Sequence, residues 1–90
     1  MSEVSQTVTI PNKRGLHARA SAKFVTLASG LSATVHVSKD GNEVVATSIM
    51  GLMMLGAAMG DSITIRADGE GADEAVRQLA ELVEAKFGED

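Results

Sequence analysis

The pattern of hydrophobic periodicity constrains the fold of this chain more than any other feature. Apolar side chains recur at every second position in four short segments, which is the period of a half-buried strand. They recur at helical spacing in two longer segments, and a short apolar run has the length of a small helix. The predicted strands span residues 6–10, 33–38, 43–46 and 62–67, and the predicted helices span residues 18–29, 49–55 and 72–87. The predicted order is therefore β-α-β-β-α-β-α.

Packing rules turn this order into an architecture. Each strand has one apolar face and each helix one apolar stripe, so three helices are expected on one face of an antiparallel four-stranded sheet. Asp40-Gly41 predicts a tight hairpin between the second and third strands. Ninety residues suffice for one small domain with a modest core. We therefore expect a single α+β domain over residues 1–90, built as a two-layer sandwich.

Composition argues against several classes of protein. The chain has no cysteine, which excludes disulfides, thiolate metal sites and cysteine nucleophiles. It shows no export signal and no long uninterrupted apolar run, which predicts a cytoplasmic protein without direct membrane insertion. The net charge of −4 argues against a nucleic-acid partner. There is no glycine-rich nucleotide loop, and His17 and His36 are too isolated to suggest a metal site, so we expect no cofactor and no metal.

Positive charge is concentrated in one short window. Residues 13–23 contain no acid, whereas residues 61–90 contain nine acids and three bases. The bases of the window are Lys13, Arg14, Arg19 and Lys23. Chance can cluster charges in this way, but the functional interpretation is a local field that attracts phosphate or an acidic protein surface.

His17 lies inside this window, at the start of the first predicted helix. The free N–H groups and positive dipole end of a helix start form an anion site, with the backbone of Ala18 and Arg19 as the expected donors. Imidazole is a nucleophile, and a helix start favours both its neutral form and an attached phosphoryl group. A lone histidine in a small protein usually has no catalytic role. In this setting, however, it predicts a phosphoryl acceptor.

Three neighbours could support this chemistry. Arg19 carries a planar cationic fork suited to phosphoryl oxygens, the alternative being a solvated surface cation. Asn12 could hydrogen-bond near the histidine or simply end the first strand. Lys23 lies on the same side of the helix as Arg19 and is otherwise an ordinary surface lysine.

A second candidate site surrounds Ser48. A serine before an apolar helix is a good N-cap, and a phosphate would also suit that helix start, so the two roles are compatible. The apolar run that follows must supply core residues, yet a short helix cannot bury every side. Some of Ile49, Met50 and Met53 should stay exposed, where flexible methionines suit docking with several partners.

Two segments of the chain resemble the HPr family, the histidine phosphocarrier proteins of the bacterial phosphoenolpyruvate-dependent phosphotransferase system. Residues 12–20, Asn-Lys-Arg-Gly-Leu-His-Ala-Arg-Ala, are similar to the family's active-site segment. Residues 47–55, Thr-Ser-Ile-Met-Gly-Leu-Met-Met-Leu, are similar to its regulatory-serine segment. The resemblance implies an HPr-like open-faced sandwich with the sheet order 1-4-2-3.

The resemblance also implies roles for individual residues. His17 would accept a phosphoryl group on Nδ1 from phosphorylated enzyme I, which draws it from phosphoenolpyruvate, and would pass it to an A component of the system. Arg19 would stabilise the transferring group. Ser48 would be phosphorylated by HPr kinase/phosphorylase, which weakens transfer through His17. The protein would then be a stoichiometric carrier and not an enzyme. The residues expected to contact partners are Ala20, Lys23, Phe24, Ile49, Met50 and Met53.

Several alternatives remain at this point. Ala20 stands where many family members have proline, which suggests a less rigid helix start without loss of function. Residues 12–19 resemble the nitrogen-branch paralogue, whereas residues 48–51 resemble carriers controlled by the kinase, so the pathway branch is open. The alternative function is a regulatory binding module that acts by protein docking, and His17 beside Arg19 argues against it. A small enzyme would need a second titratable catalytic group near His17 and a pocket, and the sequence shows neither.

Overall fold

A computed structural model describes residues 3–89 and has the predicted order of strands and helices. The strands are β1 (Val4–Thr9), β2 (Thr34–Lys39), β3 (Asn42–Val45) and β4 (Ser62–Asp68). The helices are α1 (Ala18–Ser29), α2 (Ile49–Met54) and α3 (Ala72–Glu84), and a short 3₁₀ turn follows at Lys86–Gly88.

The four strands form one sheet in the order β1-β4-β2-β3, with every neighbouring pair antiparallel. The β2–β3 hairpin turns at Asp40 and Gly41, which both have positive φ, as a tight two-residue hairpin turn requires. The predicted sheet order and hairpin are thus confirmed. Because β1 and β4 are antiparallel neighbours, the end of β1 lies beside the start of β4, where Ile10 N–H donates to the Asp61 carbonyl.

The core lies between the sheet and the helices. Alternate strand residues are buried and contact the apolar stripes of the helices, and α3 packs against β1 and β4. The largest fully buried apolar side chains are Ile10, Phe24, Val37, Leu52, Ile63, Ile65, Leu79, Val83 and Phe87. This arrangement confirms the two-layer sandwich.

The C-terminal end of the fold departs from the prediction of a helix over residues 72–87. Helix α3 ends at Glu84, and Lys86 and Phe87 both have left-handed backbone angles, with φ values of 59° and 56°. The apolar stripe was correctly assigned to Phe87, whose side chain is only 1% exposed. The Phe87 side chain enters the core from this tight turn and not from a continued helix. The turn also directs the following residues toward the start of α1.

Burial contradicts the prediction of partner contact for two residues. Ala20 and Phe24 are both completely buried in the core beneath α1. A docked protein cannot reach them in this structure, because the stripe at helical spacing on α1 faces the sheet. Lys23 remains exposed, as do Ile49, Met50 and Met53 on α2.

Within residues 3–89, none of the helices has the length and apolarity needed to span a membrane.

Candidate functional site

His17 is the N-cap residue of α1, with an extended backbone and its side chain turned back onto the helix. Its carbonyl accepts a hydrogen bond from the Ser21 N–H, and this bond closes the first turn of the helix. The neighbouring Leu16 is buried, and its N–H donates to the Ala57 carbonyl over 2.9 Å. The histidine is therefore held between a helix start and an anchored loop, which limits how far its ring can move.

Gly15 allows that loop to lie against the loop that follows α2. Its φ is +65°, and a Cβ atom at this position would collide with the Ala57 carbonyl oxygen and lie 2.9 Å from Ala58 Cα. Left-handed angles and close backbone approach both favour glycine. These two constraints explain why a glycine stands two residues before His17.

The two ring nitrogens of His17 have different partners. The Arg19 backbone N–H donates to Nδ1 over 3.2 Å, so Nδ1 must hold a lone pair. Nε2 lies 2.9 and 3.1 Å from the two carboxylate oxygens of Glu89, which are acceptors when ionised. This geometry assigns the ring to the tautomer with its proton on Nε2 and a free nucleophilic electron pair on Nδ1.

Residues 86–89, which we call the C-terminal strap, bring Glu89 to the ring. Lys23 Nζ donates to the Phe87 carbonyl over 2.7 Å, and the buried Phe87 side chain anchors the strap from below. The strap explains the position of Lys23, which holds this segment in place as well as facing solvent.

Asn12 links the strap to the loop of His17. It is fully buried, and its Nδ2 donates both to the Gly15 carbonyl over 2.9 Å and to Glu89 Oε1 over 3.0 Å. Asn12 was expected either to hydrogen-bond near the histidine or to end the first strand. The structure shows the hydrogen bonds, and β1 already ends at Thr9.

Hydrogen bonding keeps the Glu89 carboxyl ionised. The bond from Asn12 has the largest effect and lowers the pKa of Glu89 below its ordinary value of 4.5; partial burial opposes it. The hydrogen bond from His17, its charge when protonated and the charge of Arg14 lower the pKa further. An ionised Glu89 is the state that orients the Nε2–H group.

Cations surround the exposed side of the site. A cleft of about 190 Å³ is lined by Lys13, Arg14, Arg19 and Glu89. The Arg19 guanidinium has no hydrogen-bond partner within residues 3–89, so it is available to an incoming anion. Three cations and one carboxylate at the start of a helix make a site that can accept a doubly charged group such as a phosphoryl.

Ser48 is the N-cap of α2, and its Oγ accepts the Gly51 N–H over 2.9 Å. Gly51 suits this contact, because a Cβ there would lie 3.1 Å from Ser48 Oγ. The side chain is half-buried, and Ile49 and Met50 follow it on the exposed side of the helix.

Glu89 is the functional residue that sequence reasoning missed. It lies 72 positions from His17 along the chain, and no local pattern joins the two. The only hint was the glycine before it, which marks a turn. His36, the other histidine, is half-buried on the sheet, and no group of three metal-ligating side chains was found among residues 3–89.

Comparison with known proteins gives consistent matches along the chain. Residues 4–85 match the family model described as the PTS HPr component phosphorylation site. The chain is 45% identical to the phosphocarrier protein HPr of Cupriavidus necator, with 96% of this chain and 97% of that protein covered. It is 42% identical to the phosphocarrier protein NPr of Shewanella violacea, with 99% and 98% covered. A crystal structure of HPr from Thermoanaerobacter tengcongensis superposes with a TM-score of 0.90 at 47% identity, with 100% and 99% covered.

Proposed function

The chain belongs to the HPr family of phosphocarrier proteins, and on that premise we propose that His17 carries the phosphoryl group on Nδ1. The observation that supports this assignment best is the division of the ring nitrogens: Nδ1 accepts a backbone N–H and Nε2 faces Glu89. Residues 1–90 act as one HPr-like domain in this proposal, and the alternative of a binding module without phosphoryl transfer is not favoured.

The proposed step is an in-line transfer onto the His17 ring. The Nδ1 lone pair attacks the phosphorus of the phosphorylated donor and a new N–P bond forms, while the bond from phosphorus to the donor atom breaks with its electron pair returning to that atom. The proton on Nε2 stays there, held by Glu89 over 2.9 Å. No proton therefore has to leave the ring during the step.

The helix start serves the ring both before and after transfer. The Arg19 N–H donates to Nδ1 in the free protein. Once Nδ1 is bonded to phosphorus, it no longer accepts a hydrogen bond, and the same N–H can donate to a phosphoryl oxygen. Within residues 3–89 the Ala18 N–H has no acceptor, which leaves a second donor for that group.

Arg19 and Glu89 have opposite effects on the arriving phosphoryl group. The Arg19 guanidinium stabilises the charge on the transferring oxygens, as cationic clamps do in phosphoryl transfer. Glu89 is a positioning residue: it fixes the tautomer and ring orientation, and its negative charge repels the phosphoryl group. That repulsion keeps the phosphorylated state reactive toward the next acceptor.

The partners we propose are those of the phosphotransferase system. Phosphorylated enzyme I would be the donor and an A component the acceptor, with this protein consumed and regenerated as a carrier and not as an enzyme. The docking surface would combine Arg19 with the exposed residues of α2, Ile49, Met50 and Met53. Phosphorylation of Ser48 by an HPr kinase/phosphorylase would add charge at the edge of this surface and weaken docking.

The test is intact mass spectrometry after incubation with phosphoenolpyruvate and enzyme I, before and after mild acid. We expect one acid-labile phosphoryl adduct on the unaltered protein and none on His17→Ala, with the same circular dichroism for both. His36→Ala is the matched control and should accept the group normally. If His17→Ala is still phosphorylated at the normal rate, the assignment is overturned.

A further inference from the structure

The methionines of this chain are distributed in an unusual way. Methionine commonly fills irregular gaps in protein cores, yet none of the buried apolar residues among residues 3–89 is a methionine. The four methionines in that range are all exposed, with 70% of Met50, 42% of Met53, 80% of Met54 and 56% of Met59 accessible. We call these four residues the methionine patch.

The patch is connected to the His17 site through the backbone. Three of its members lie on α2, and Met59 lies in the loop that follows. This loop accepts the Leu16 N–H at the Ala57 carbonyl over 2.9 Å and donates the Gly60 N–H to the Ile10 carbonyl over 2.9 Å. The loop that follows α2 and contains Met59 therefore lies against the loop that carries the histidine.

We propose that the methionine patch is a site of reversible oxidation by peroxide, and that its sulfoxide form docks poorly with the phosphoryl donor. The thioether sulfur attacks one peroxide oxygen, an S–O bond forms and the O–O bond breaks. The sulfur loses two electrons, and the peroxide is reduced to water. Methionine sulfoxide reductases, supplied with a thiol reductant, restore the thioether.

The physical effect of oxidation is confined to the surface. A sulfoxide is a polar hydrogen-bond acceptor, so covering it with an apolar partner surface requires that it lose its water. The core contains no methionine among the described residues, so oxidation leaves the packing of the fold unchanged. The sequence has no cysteine, which makes methionine its only sulfur-containing side chain.

This inference rests on the proposed function, because it assigns regulation to the proposed docking surface. The experiment treats the protein with hydrogen peroxide, maps added oxygen by peptide mass spectrometry, and measures phosphoryl transfer from enzyme I at subsaturating concentration. Thermal unfolding is followed in parallel. A variant with all four patch methionines changed to leucine receives the same treatment, and each protein's rate is compared with its own untreated rate.

We expect oxidation at the four patch residues, a fall in the transfer rate of about tenfold and an unchanged unfolding temperature, since one poorly satisfied polar group at an interface has about this effect. The leucine variant should keep its own rate after peroxide, and a sulfoxide reductase should restore the oxidised protein. An equal rate before and after confirmed oxidation, or an equal loss in the leucine variant, overturns the inference and leaves the carrier function standing. Failure of the untreated protein to accept phosphate overturns both.

Discussion

At the scale of single residues, one imidazole ring carries two separate functions. Nδ1 faces the helix start and holds the reactive electron pair, while Nε2 holds the proton against Glu89. A carboxylate beside Nε2 fixes the tautomer, because it accepts a hydrogen bond only from a protonated Nε2. The orientation of the ring therefore depends on Glu89.

The Glu89 carboxyl should stabilise the fold in a pH-dependent way. Its folded pKa is lowered below 4.5, so its contribution is fully present above pH 4.5 and is lost as the pH falls through the lowered folded value. Glu89→Gln should thus be less stable than the unaltered protein at neutral pH and equally stable in strong acid. Urea unfolding over a pH series measures the difference.

Glu84→Gln is the control for this experiment, because Glu84 is an exposed acid at the end of α3. Because no side chain among residues 3–89 hydrogen-bonds to Glu84, this substitution should change the unfolding free energy at neutral pH less than Glu89→Gln does. A Glu89→Gln difference that stayed constant from neutral to acid would show that the carboxyl charge has no part in holding the strap.

At the scale of elements, the chemistry is concentrated at helix starts and in the loops that lead to them. His17 caps α1, Ser48 caps α2, and the loop around Gly15 holds the first of these starts against the loop after the second. A loop that is pinned by backbone bonds tolerates little change in shape. The two most informative substitutions are therefore at Gly15 and Ser48.

Gly15→Ala should destabilise the protein strongly and slow phosphoryl transfer. The new Cβ would meet the Ala57 carbonyl and force a left-handed alanine, and together these cost about 3 kcal/mol. Gly41→Ala is the matched control: its φ is also positive, at +84°, but nothing lies within 4 Å of the new Cβ. Denaturant unfolding of both variants isolates the free energy lost when the new Cβ meets the Ala57 carbonyl. Equal losses of unfolding free energy in the two variants would show that this contact is unimportant.

Two substitutions of Ser48 separate the effect of helix capping on stability from the effect of a negative charge on phosphoryl transfer. Ser48→Ala removes the acceptor for the Gly51 N–H and should cost about 1 kcal/mol of stability. Ser48→Asp keeps a good capping residue and adds a negative charge, so it should be the more stable variant and the slower phosphoryl acceptor. Transfer rates from enzyme I and unfolding free energies, measured on both, test the pair. The same rate for both variants would contradict regulation by charge at this position.

At the scale of the whole molecule, sequence reasoning succeeded where structure is local. Hydrophobic periods and Asp40-Gly41 identified the strands, the helices and the hairpin, because side-chain direction follows directly from backbone period. It failed where distant segments meet. Glu89 reaches His17 only because a left-handed turn at Lys86 and Phe87 redirects the chain, and neither residue type favours that backbone.

The same limit explains the misassigned docking residues. Ala20 lies in the active-site segment of residues 12–20, Phe24 follows it on α1, and both were expected to contact partners. Their helical spacing indicated the core, and burial decided between the two. In a short amphipathic helix, position around the helix axis determines exposure, and distance along the chain does not.

The distribution of charge leads to a prediction for the whole molecule. The net charge is −4, yet Lys13, Arg14 and Arg19 line the cleft beside His17. A positive patch on an acidic protein steers it toward an acidic partner surface, and salt screens this attraction with a Debye length of about 10 Å at 0.1 M. The rate of phosphoryl transfer at low concentration should therefore fall about tenfold between low salt and about 0.5 M.

Arg14→Gln should flatten this dependence, because it removes one exposed cation from the cleft without removing a hydrogen bond to the His17 ring. Arg77→Gln is the matched control. Arg77 lies on α3, where it pairs with Glu74 and Glu81, so its loss changes the net charge equally without changing the cleft. Stopped-flow or quenched-flow transfer over a salt series distinguishes them. If both variants changed the salt slope equally, net charge and not the local patch would control association, and the cleft would have no steering role.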